Sequence, residues 1–353
     1  MVTVALDAMG GDFAPAEPVA GAAMASMDER GPHLLLVGDV GRIQAELKKH
    51  EHTPGRFSFE AAQEAVPMDA TPREALDRLP DASISVAARA VCAGKADALV
   101  SAGNTGALIL SCSTIWNRLE GVRRCALAAV FPTERRRGEN QDPFSLILDV
   151  GATLEASAQD LVAFAVMGSA YAARISRNPQ PLVALLSSGS EPGKGRPEIV
   201  AAHQLLKLNR AITFIGNVEG VDLPHGRADV IVTDGFTGNV VLKMLEGVSE
   251  TVMNIGRYAY RSSIFWRAGL MFLGSGIRQL RQLTDWQEYG GAPVLGFDHV
   301  CIKAHGRSGR RAIANAIRVA NKAVRTEVVA AMREGLARAH ELDSPDQSPA
   351  REA

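Results

Sequence analysis

The chain alternates between short apolar runs and longer stretches with helical spacing. Residues 127–131 and 146–150 are continuous apolar runs, which is typical of strands covered on both faces. Residues 83–93 and 159–174 have the spacing of helices, and the second of these is stopped by Asn178 and Pro179. Repeated βα units of this kind predict an α/β fold with a doubly wound, mostly parallel sheet.

The domain organisation follows from what the chain lacks. It has no internal repeat and no low-complexity linker, so residues 1–340 are predicted to form one α/β domain. Residues 341–353 are rich in Ser, Pro and charge and are predicted to be a disordered tail. The charged residues 134–142, between two apolar runs, are predicted to be a solvated loop.

Four apolar runs end abruptly in a turn of glycine and small polar residues. The turns are residues 7–12 (DAMGGD), 101–106 (SAGNTG), 187–195 (SSGSEPGKG) and 233–239 (TDGFTGN). In a parallel sheet the carboxyl ends of the strands meet along one crevice, where ligands bind. Glycine lets backbone N–H groups approach an anion closely, and hydroxyl and amide side chains add neutral hydrogen bonds. The four turns therefore predict one shared anion-binding site.

Composition narrows the class of protein. The 353 residues are 46% hydrophobic and 22% charged with a net charge of -1, so nothing attracts nucleic acid or an anionic membrane in bulk. The four cysteines (Cys92, Cys112, Cys125, Cys301) have no metal-site spacing and are predicted to be reduced core residues, with no metal site. No secretory signal and no apolar run of about 18 residues is present, so a cytoplasmic protein is expected.

Three of the glycine-rich turns resemble the signatures of a known family. Residues 5–12, 101–107 and 233–239 are similar to those of the PlsX family, the phosphate acyltransferases of bacterial phospholipid synthesis (acyl-ACP:phosphate acyltransferases). Residues 148–152, 215–219, 289–292 and 302–306 extend the resemblance in the expected order. It covers about residues 2–324. The chain departs from the family's usual asparagine at Thr153 and Ser187, and lacks its basic stretch at residues 79–83.

The resemblance implies a fold and an activity. The implied fold is a three-layer α/β/α sandwich akin to phosphotransacetylases and isocitrate-type dehydrogenases. The implied reaction transfers a fatty acyl group from acyl carrier protein to inorganic phosphate, giving acyl phosphate for phosphatidic acid synthesis without a cofactor. The implied partners are a second copy of the chain, the membrane surface, and a membrane-bound glycerol-3-phosphate acyltransferase.

Two residues are candidates for the chemistry, which requires positioning of phosphate and stabilisation of a developing oxyanion. Lys194 lies between two glycines beyond a predicted strand, where its ammonium could reach phosphate or the carbonyl oxygen; the alternative is a solvated lysine on a mobile loop. Asn239 follows a glycine at a predicted helix start, where its amide could donate to an oxyanion or cap the helix. The family resemblance places catalytic roles on both.

A larger set is predicted to bind phosphate or substrate. It comprises Asp7, Gly10, Gly11, Asp12, Ser101, Gly103, Asn104, Thr105, Gly189, Asp234, Thr237 and His305. The carboxylates would repel phosphate, so they are expected to orient loops or cap helices. The hydroxyl and amide residues are either anion donors or helix caps, and His305 is either a phosphate or proton donor or a structural histidine. Arg307, Arg310 and Arg311 either contact an acidic carrier protein or form an exposed helix start.

An apolar and basic segment at residues 254–286 predicts a second functional surface. Ile264, Phe265, Trp266, Leu270 and Phe272 lie among arginines, and a Gly-Ser-Gly break follows them. Residues 245–288 are therefore predicted to be a helical hairpin that projects from the sheet. Three interpretations stay open: an interfacial membrane segment, a dimer contact, and plain core packing.

Three rival functions come from other classes. The same sandwich hosts phosphotransacetylases that use CoA thioesters, and only the family motifs distinguish these. It also hosts NAD-dependent dehydrogenases, but residues 9–12 (MGGD) are not the G-x-G-x-x-G fingerprint. A non-catalytic scaffold that binds carrier protein at the membrane would not explain four anion-type turns.

Overall fold

The computed structural model describes residues 1–139, 141–262 and 290–343. The strands are β1 (Thr3–Asp7), β2 (His33–Gly38), β3 (Phe57–Ala61), β4 (Ala98–Ser101), β5 (Ala126–Arg137), β6 (Asp142–Leu148), β7 (Leu182–Leu186), β8 (Thr213–Val218), β9 (Val230–Val232), β10 (Ala292–Leu295) and β11 (Val300–Lys303). The helices are α1 (Ala16–Ser26), α2 (Val40–Leu47), α3 (Pro72–Arg78), α4 (Ser83–Cys92), α5 (Thr105–Ile115), α6 (Ala158–Ile175), α7 (Pro197–Leu208), α8 (Asp222–His225), α9 (Gly235–Ser262), α10 (Arg310–Arg325) and α11 (Val328–Asp343).

All of these strands belong to one sheet. Its order is β3-β2-β1-β4-β11-β10-β5-β6-β9-β7-β8. Only the pairs of β10 with β11, β10 with β5, and β5 with β6 are antiparallel in the described part of the chain. The prediction of an α/β fold with a large, mostly parallel sheet is confirmed.

Helices cover both faces of the sheet because alternate residues of each strand point to opposite sides. On one face, Ala5 and Leu99 belong to an apolar cluster completed by residues of α4 and α5. On the other face, Leu6 and Val100 pack with residues of α1 and α10, and farther along the sheet Leu148 packs with residues of α6 and α11. Strands β2, β7 and β9, which are covered on both faces, are therefore apolar at nearly every position.

The sheet consists of two parallel sets of strands that run in opposite directions. β3, β2, β1, β4 and β11 are parallel to one another, as are β6, β9, β7 and β8, and the antiparallel strands β10 and β5 lie between the sets. The prediction that all four glycine-rich turns lie along one edge is therefore wrong. The turns after β1 and β4 lie at the carboxyl end of one set, and those after β7 and β9 at the carboxyl end of the other.

The two carboxyl ends nevertheless meet at the centre of the sheet. Lys303 at the end of β11 pairs with Ala292 of β10, while Val294 of β10 pairs with Leu127 of β5. The end of β6 is beside the same part of β5, because the N–H of Val150 donates to the Leu127 carbonyl oxygen (2.8 Å). Two residues along a strand span about 7 Å. The loops of the two sets therefore face each other across a short distance.

Three local expectations differ from the structure or fall outside it. The predicted solvated loop at residues 134–142 is wrong in large part, because β5 continues to Arg137 and β6 begins at Asp142. The last helix, α11, continues to Asp343, so the first residues of the predicted tail are helical and residues 344–353 lie outside the described part. Of the predicted hairpin, the structure describes the first helix up to Ser262. Ile264, Phe265, Trp266, Leu270 and Phe272 lie outside the described residues.

The described helices include none with both the length and the apolar character needed to cross a bilayer. The longest, α9, has 28 residues and carries several charged side chains.

Candidate active site

A cleft of about 560 Å³ lies where the two sets of strands meet. Four of the predicted site residues line it: Asp12, Thr105, Asn239 and His305. Asp12, Thr105 and His305 follow β1, β4 and β11 of one strand set, whereas Asn239 follows β9 of the other set. Within the described part of the chain, the loop at residues 187–195 contributes no lining residue. The cleft thus brings together three of the four predicted turns.

Three polar residues lie side by side at the base of the first loop group, the loops that follow β1, β4 and β11. Asp7, Ser101 and Lys303 occupy the same level at the carboxyl ends of β1, β4 and β11. The Ser101 hydroxyl donates to Oδ2 of Asp7 (2.7 Å), and the Ser83 hydroxyl donates to Oδ1 (2.6 Å). Asp7 and Ser101 are therefore engaged with each other and orient the loops that follow them, and neither lines the cleft.

Lys303 is the buried cation of this row. It lines the cleft with only 6% of its surface exposed, and its ammonium donates to the carbonyl oxygens of Ala304 and Ala102. Burial lowers the pKa of Lys303 to about 8, although the nearby carboxylates of Asp7 and Asp12 oppose the shift. Burial also raises the pKa of Asp7 above its usual value, against the opposing hydrogen bonds from Ser83 and Ser101.

The glycines of the first two turns are required by the contact between the turns. A Cβ on Gly10 would overlap with the Asp7 carboxylate and lie 2.8 Å from the N atom of Gly103. Gly11 has φ +105°, a conformation that favours glycine, and a Cβ on Gly103 would lie 3.1 Å from Oγ of Ser101. The N–H of Asp12 donates to the Gly306 carbonyl (2.9 Å), which ties the third loop to the first.

Asn104 and Thr105 have different environments although they are adjacent. Asn104 caps α5, because its Oδ1 accepts from the N–H of Ala107 (3.0 Å), and its Nδ2 donates to the carbonyls of Met68 and Ala70 (3.0 Å each). Its side chain is therefore occupied by the protein, as the capping alternative predicted. Thr105, the first residue of α5, lines the cleft.

Asp149 fixes the backbone of one loop in the second loop group, the loops that follow β6, β7 and β9. Its Oδ1 accepts from the N–H groups of Leu127 (2.8 Å), Gly151 (3.0 Å) and Ala152 (3.0 Å), and its Oδ2 accepts from that of Thr153 (2.6 Å). Burial nevertheless raises the pKa of Asp149 to about 6. The Thr153 hydroxyl donates to the Cys125 carbonyl (2.8 Å), so this departure from the family pattern contributes to loop structure.

Asp234 caps α9 and links two loops. Its Oδ1 accepts from the N–H of Thr237 (3.0 Å), and its Oδ2 accepts from the Thr237 hydroxyl (2.7 Å) and from the Arg196 guanidinium (2.5 Å). Because Asp234 supplies the cap and α9 begins at Gly235, Asn239 lies within the helix and the capping alternative for Asn239 is wrong. Its exposed side chain lies beside Gly151 at the edge of the cleft.

Lys194 lies outside the cleft lining, on the exposed loop between β7 and α7. The loop is closed by the Ser187 hydroxyl, which donates to the Lys194 carbonyl (2.9 Å), and by the N–H of Lys194, which donates to the Glu191 carbonyl (3.0 Å). A Cβ on Gly189 would lie 2.9 Å from Cγ of Lys194. The ion pair of Arg196 with Asp234 holds this loop against the start of α9, in the loop group that also holds Asn239.

The loop between β11 and α10 brings His305 and Arg307 to the cleft. His305 is half-buried, and the N–H of Arg307 donates to its Nδ1 (3.2 Å), which in the neutral ring places the proton on Nε2. Burial lowers the pKa of His305, and the nearby cations Lys243, Lys303 and Arg307 lower it further, against an opposing effect of Glu246. The cleft is therefore electropositive around a neutral imidazole.

The N-terminus of α10 is already occupied by a carboxylate. Glu17 accepts from the N–H of Arg310 (2.5 Å) and forms an ion pair with its guanidinium (2.6 Å). An anion in the cleft would therefore contact the side chains of the β11–α10 loop and not the first N–H of the helix. The ion pair also fixes Arg310, one of the three arginines considered as carrier contacts.

The rest of the cleft wall is apolar. Its apolar residues come from the centre of the sheet, from the Asp149 loop and from α9: Leu127, Ala129, Val130, Val150, Leu154 and Leu242. The side chain of Leu154 is 64% exposed, which places an apolar group at the mouth of the cleft. A ligand with an anionic part and an apolar part fits such a site.

Sequence reasoning missed Lys303 and Lys243 as site residues. Lys303 stood within the motif at residues 302–306, but the short strand that ends at Lys303 was not predicted. Lys243 lies on α9, one turn beyond Asn239, and that helical spacing could have identified it.

The fold is shared with enzymes of known structure. A phosphotransacetylase from Streptococcus pyogenes superposes with a TM-score of 0.59 at 16% sequence identity, over 95% of this chain and 94% of that one. The EutD phosphotransacetylase from Staphylococcus aureus gives a TM-score of 0.57 at 16% identity, over 92% of this chain and 94% of that one. The chain therefore has the α/β fold of these phosphotransacetylases.

Sequence relatives define the family. A phosphate acyltransferase from Nostoc punctiforme is 43% identical over 328 residues, which cover 93% of this chain and 94% of the relative. A phosphate acyltransferase from Endomicrobium trichonymphae is 39% identical over 342 residues, covering 95% and 98%. The sequence model of the family described as "Fatty acid synthesis protein" matches residues 2–331. The chain belongs to this family, which confirms the PlsX resemblance, and it is an acyltransferase.

Two glycines of α9 provide a matched test of the contact between α9 and the Asp149 loop. A Cβ on Gly238 would overlap with the backbone oxygen of Asp149, whereas a Cβ on Gly247 meets open space. Gly238→Ala is expected to lower the free energy of unfolding by about 1–3 kcal/mol or more, because backbone cannot rotate away. Gly247→Ala is expected to raise it by about 0.5–1 kcal/mol through helix propensity. Urea unfolding measures both, and equal effects would contradict the proposed close contact.

Proposed function

We propose that this acyltransferase moves a fatty acyl group from acyl carrier protein to inorganic phosphate and releases acyl phosphate for phospholipid synthesis. The observation that carries the proposal is the composition of the cleft. The cations Lys303, Lys243 and Arg307 surround His305 on one side, and an apolar wall with Asn239 at its edge forms the other. Family membership supports the same reaction class.

Phosphate is assigned to the β11–α10 side of the cleft. Lys303 offers a desolvated ammonium, Thr105 a hydroxyl, and His305 an N–H on Nε2. These donors converge from β11 and α5, two elements of the same strand set. A buried cation interacts more strongly with an anion than a solvated one does, because little water screens it. Asp12 and Glu246, which also line the cleft, would favour the singly protonated over the fully ionised phosphate.

The acyl thioester is assigned to the apolar side. Its carbonyl would lie between the phosphate and Asn239, whose amide would donate to the oxygen as negative charge develops. Lys194 is proposed to assist from the neighbouring loop, which the contact of Arg196 with Asp234 holds beside α9. The apolar residues Leu127, Val150 and Leu242 would contact the acyl chain.

The reaction balances without a redox step. A phosphate oxygen forms a bond to the carbonyl carbon, and the bond from carbon to sulfur breaks as the tetrahedral intermediate collapses. A thiol has a pKa of about 8.5, so the sulfur leaves as a thiolate without strong acid assistance. The proton of hydrogen phosphate balances the thiolate, so the products are an acyl phosphate and a free thiol. Catalysis then rests on positioning and electrostatics.

The donor substrate is tested by comparing carriers. Purified protein with phosphate is expected to form acyl phosphate from palmitoyl-ACP in preference to palmitoyl-CoA, and to reduce no NAD. Asn239→Ala and Lys194→Ala are each expected to lower kcat by about 100- to 1000-fold, the typical loss for one oxyanion donor. Hydroxylamine trapping of acyl phosphate measures the product.

One control variant and two contradicting outcomes complete the test of the donor substrate and the catalytic residues. Lys207→Ala, on the exposed side of α7 and away from the cleft, is expected to keep the wild-type rate. Equal rates with both thioesters would favour a CoA-dependent phosphotransacylase. Wild-type rates in the Asn239 and Lys194 variants would remove those residues from the mechanism.

The buried lysine predicts the pH dependence of phosphate binding. Because burial holds the pKa of Lys303 at about 8, the ammonium is charged below this pH and neutral above it. KM for phosphate is expected to rise roughly tenfold per pH unit above about 8. In Lys303→Arg the cation stays charged, so the rise is expected to disappear.

Steady-state kinetics at a saturating acyl donor measure this effect. Lys303→Met is expected to give a high KM for phosphate at every pH, which covers the case in which the larger arginine does not fit. Any change of KM with pH that remains in the arginine variant reports the titration of phosphate itself. The same profile in the wild type and the arginine variant would show that Lys303 does not bind phosphate.

Dimerisation and membrane contact are proposed for α9 and the segment that follows it. Beyond Glu246 α9 is largely exposed. Along the whole of α9, exposed apolar residues recur at intervals of three or four: Val240, Met244, Val248, Val252 and Ile255. Such a stripe on a helix is what a partner helix covers. We propose that a second copy of the chain covers it, and that Phe265, Leu270 and Phe272 contact the membrane where the acyl phosphate is used.

Separate variants distinguish the two contacts. Val248→Glu with Val252→Glu is expected to give a monomer by light scattering, because two carboxylates cannot be buried unpaired. Asn254→Glu, on the polar side of the same helix, is the control and is expected to stay dimeric. Replacing Phe265, Leu270 and Phe272 with Ser is expected to abolish sedimentation with anionic vesicles. A monomer that results from this triple change, with vesicle binding retained, would make the segment a dimer contact instead.

A further inference from the structure

The central sheet opens between β10 and β5. Their antiparallel ladder has two pairs, Val294 with Leu127 and Leu295 with Ala126. The same register places Pro293, which has no N–H to donate, opposite Ala128, then Ala292, the first residue of β10, opposite Ala129, and Gly291, just before β10, opposite Val130. Because β10 begins at Ala292, β5 pairs with no strand on this side beyond that point in the described part of the chain, and the gap lies beside Val130 and Gly291.

A second cavity of about 220 Å³ lies behind this gap, on the opposite face of the sheet. Leu146, Tyr171, Ala172, Ile175 and Val319 give it an apolar wall. The charged group on that wall, Asp229, is held by the N–H of Leu182 (2.6 Å). The remaining polar lining includes Ser176, which is half-buried, and Lys322, which is exposed. The cavity therefore meets solvent beside these two residues.

The cleft and the second cavity share two lining residues, Val130 and Gly291. These are the residues that the interrupted register places opposite each other across the gap. On β5, Leu127 and Ala129 belong to the apolar cluster of the cleft face, whereas Val130 packs against the cluster of the opposite face. Gly291 has no side chain. Of the two shared residues, therefore, only Val130 places a side chain between the cavities.

We propose that the distal part of the fatty acyl chain passes through this gap and occupies the cavity behind the sheet, with Val130 as the residue that determines chain-length preference. The inference rests on the proposed acyl transfer. A carbonyl held at Asn239 leaves the chain along Val150 and Leu127, which lead to the gap. The alternative path runs outward along the exposed stripe of α9, where water or a partner would cover the chain.

The cavity behind the sheet gives a reason for long chains to bind. Each methylene transferred from water to an apolar wall strengthens binding by roughly fourfold. A chain that ends within the cleft gains nothing from Val130, whereas a longer chain gains with each carbon beyond the gap. Tyr171 is consistent with this environment: burial holds its pKa far above the usual value, so the hydroxyl stays neutral beside the chain.

Substitutions on both sides of the gap test the proposal with ACP thioesters of hexanoyl, decanoyl and palmitoyl groups. Val130→Phe is expected to lower the ratio of kcat/KM for palmitoyl over hexanoyl by about tenfold or more, the loss of two or more methylenes from the cavity. Val319→Phe, which fills the cavity from α10, is expected to shift the ratio in the same direction. Val162→Phe, on α6 in the same apolar cluster but outside both cavities, is the matched control with an unchanged ratio.

A crosslinking measurement remains informative if a variant fails to fold. Palmitoyl-ACP with a diazirine at the terminal carbon is expected to label wild-type peptides of α6 or α10 after irradiation. Labelling of α9 at Val240 or Met244, or an unchanged ratio in both variants, would overturn the passage. Absence of acyl phosphate from every donor would instead contradict the proposed function, so the two failures are distinguishable.

Discussion

The reversal of strand direction at the centre of the sheet is the constraint on which the site depends. In a fully parallel sheet the loops after all the strands would lie at one edge. Here β10 and β5 are antiparallel to their neighbours, and the carboxyl ends of the two sets meet across two residues of β10. An anion-binding group from one set and an oxyanion donor from the other can therefore face a common space.

Each loop group is held by one buried carboxylate, and neither carboxylate lines the cleft. Asp7 binds the hydroxyls of Ser83 and Ser101, and Asp149 binds four backbone N–H groups. Such hydrogen bonds offset part of the desolvation cost, although burial still raises both pKa values. The positive charge of Lys303, Lys243 and Arg307 is left facing the cleft. These two carboxylates thus build the loops, whereas the cleft is lined by these three cations together with the carboxylates of Asp12 and Glu246.

Sequence patterns predicted the features that depend on neighbouring residues in the chain. Continuous apolar runs predicted strands such as β5, β6 and β7, and the expectation that Asp7 and Asp234 orient loops agrees with their hydrogen bonds. The misses are non-local. β11 has four residues and enters the sheet centre from the far end of the chain, so its local pattern did not identify it or Lys303. The charged pattern of residues 134–142 predicts a loop because it offers no apolar face, yet β5 continues to Arg137 and pairs there with Asp142 of β6.

The same reversal that assembles the cleft also weakens the sheet beside it. β10 pairs with β5 through two residues only and begins at Ala292, so β5 has no paired strand on this side beyond that point in the described part of the chain. Gly291, with φ +91° and with Ile302 and Lys303 packed where a Cβ would lie, keeps the chain open at that point without a side chain. The proposed phosphate site and the proposed passage for the acyl chain therefore both depend on one topological feature.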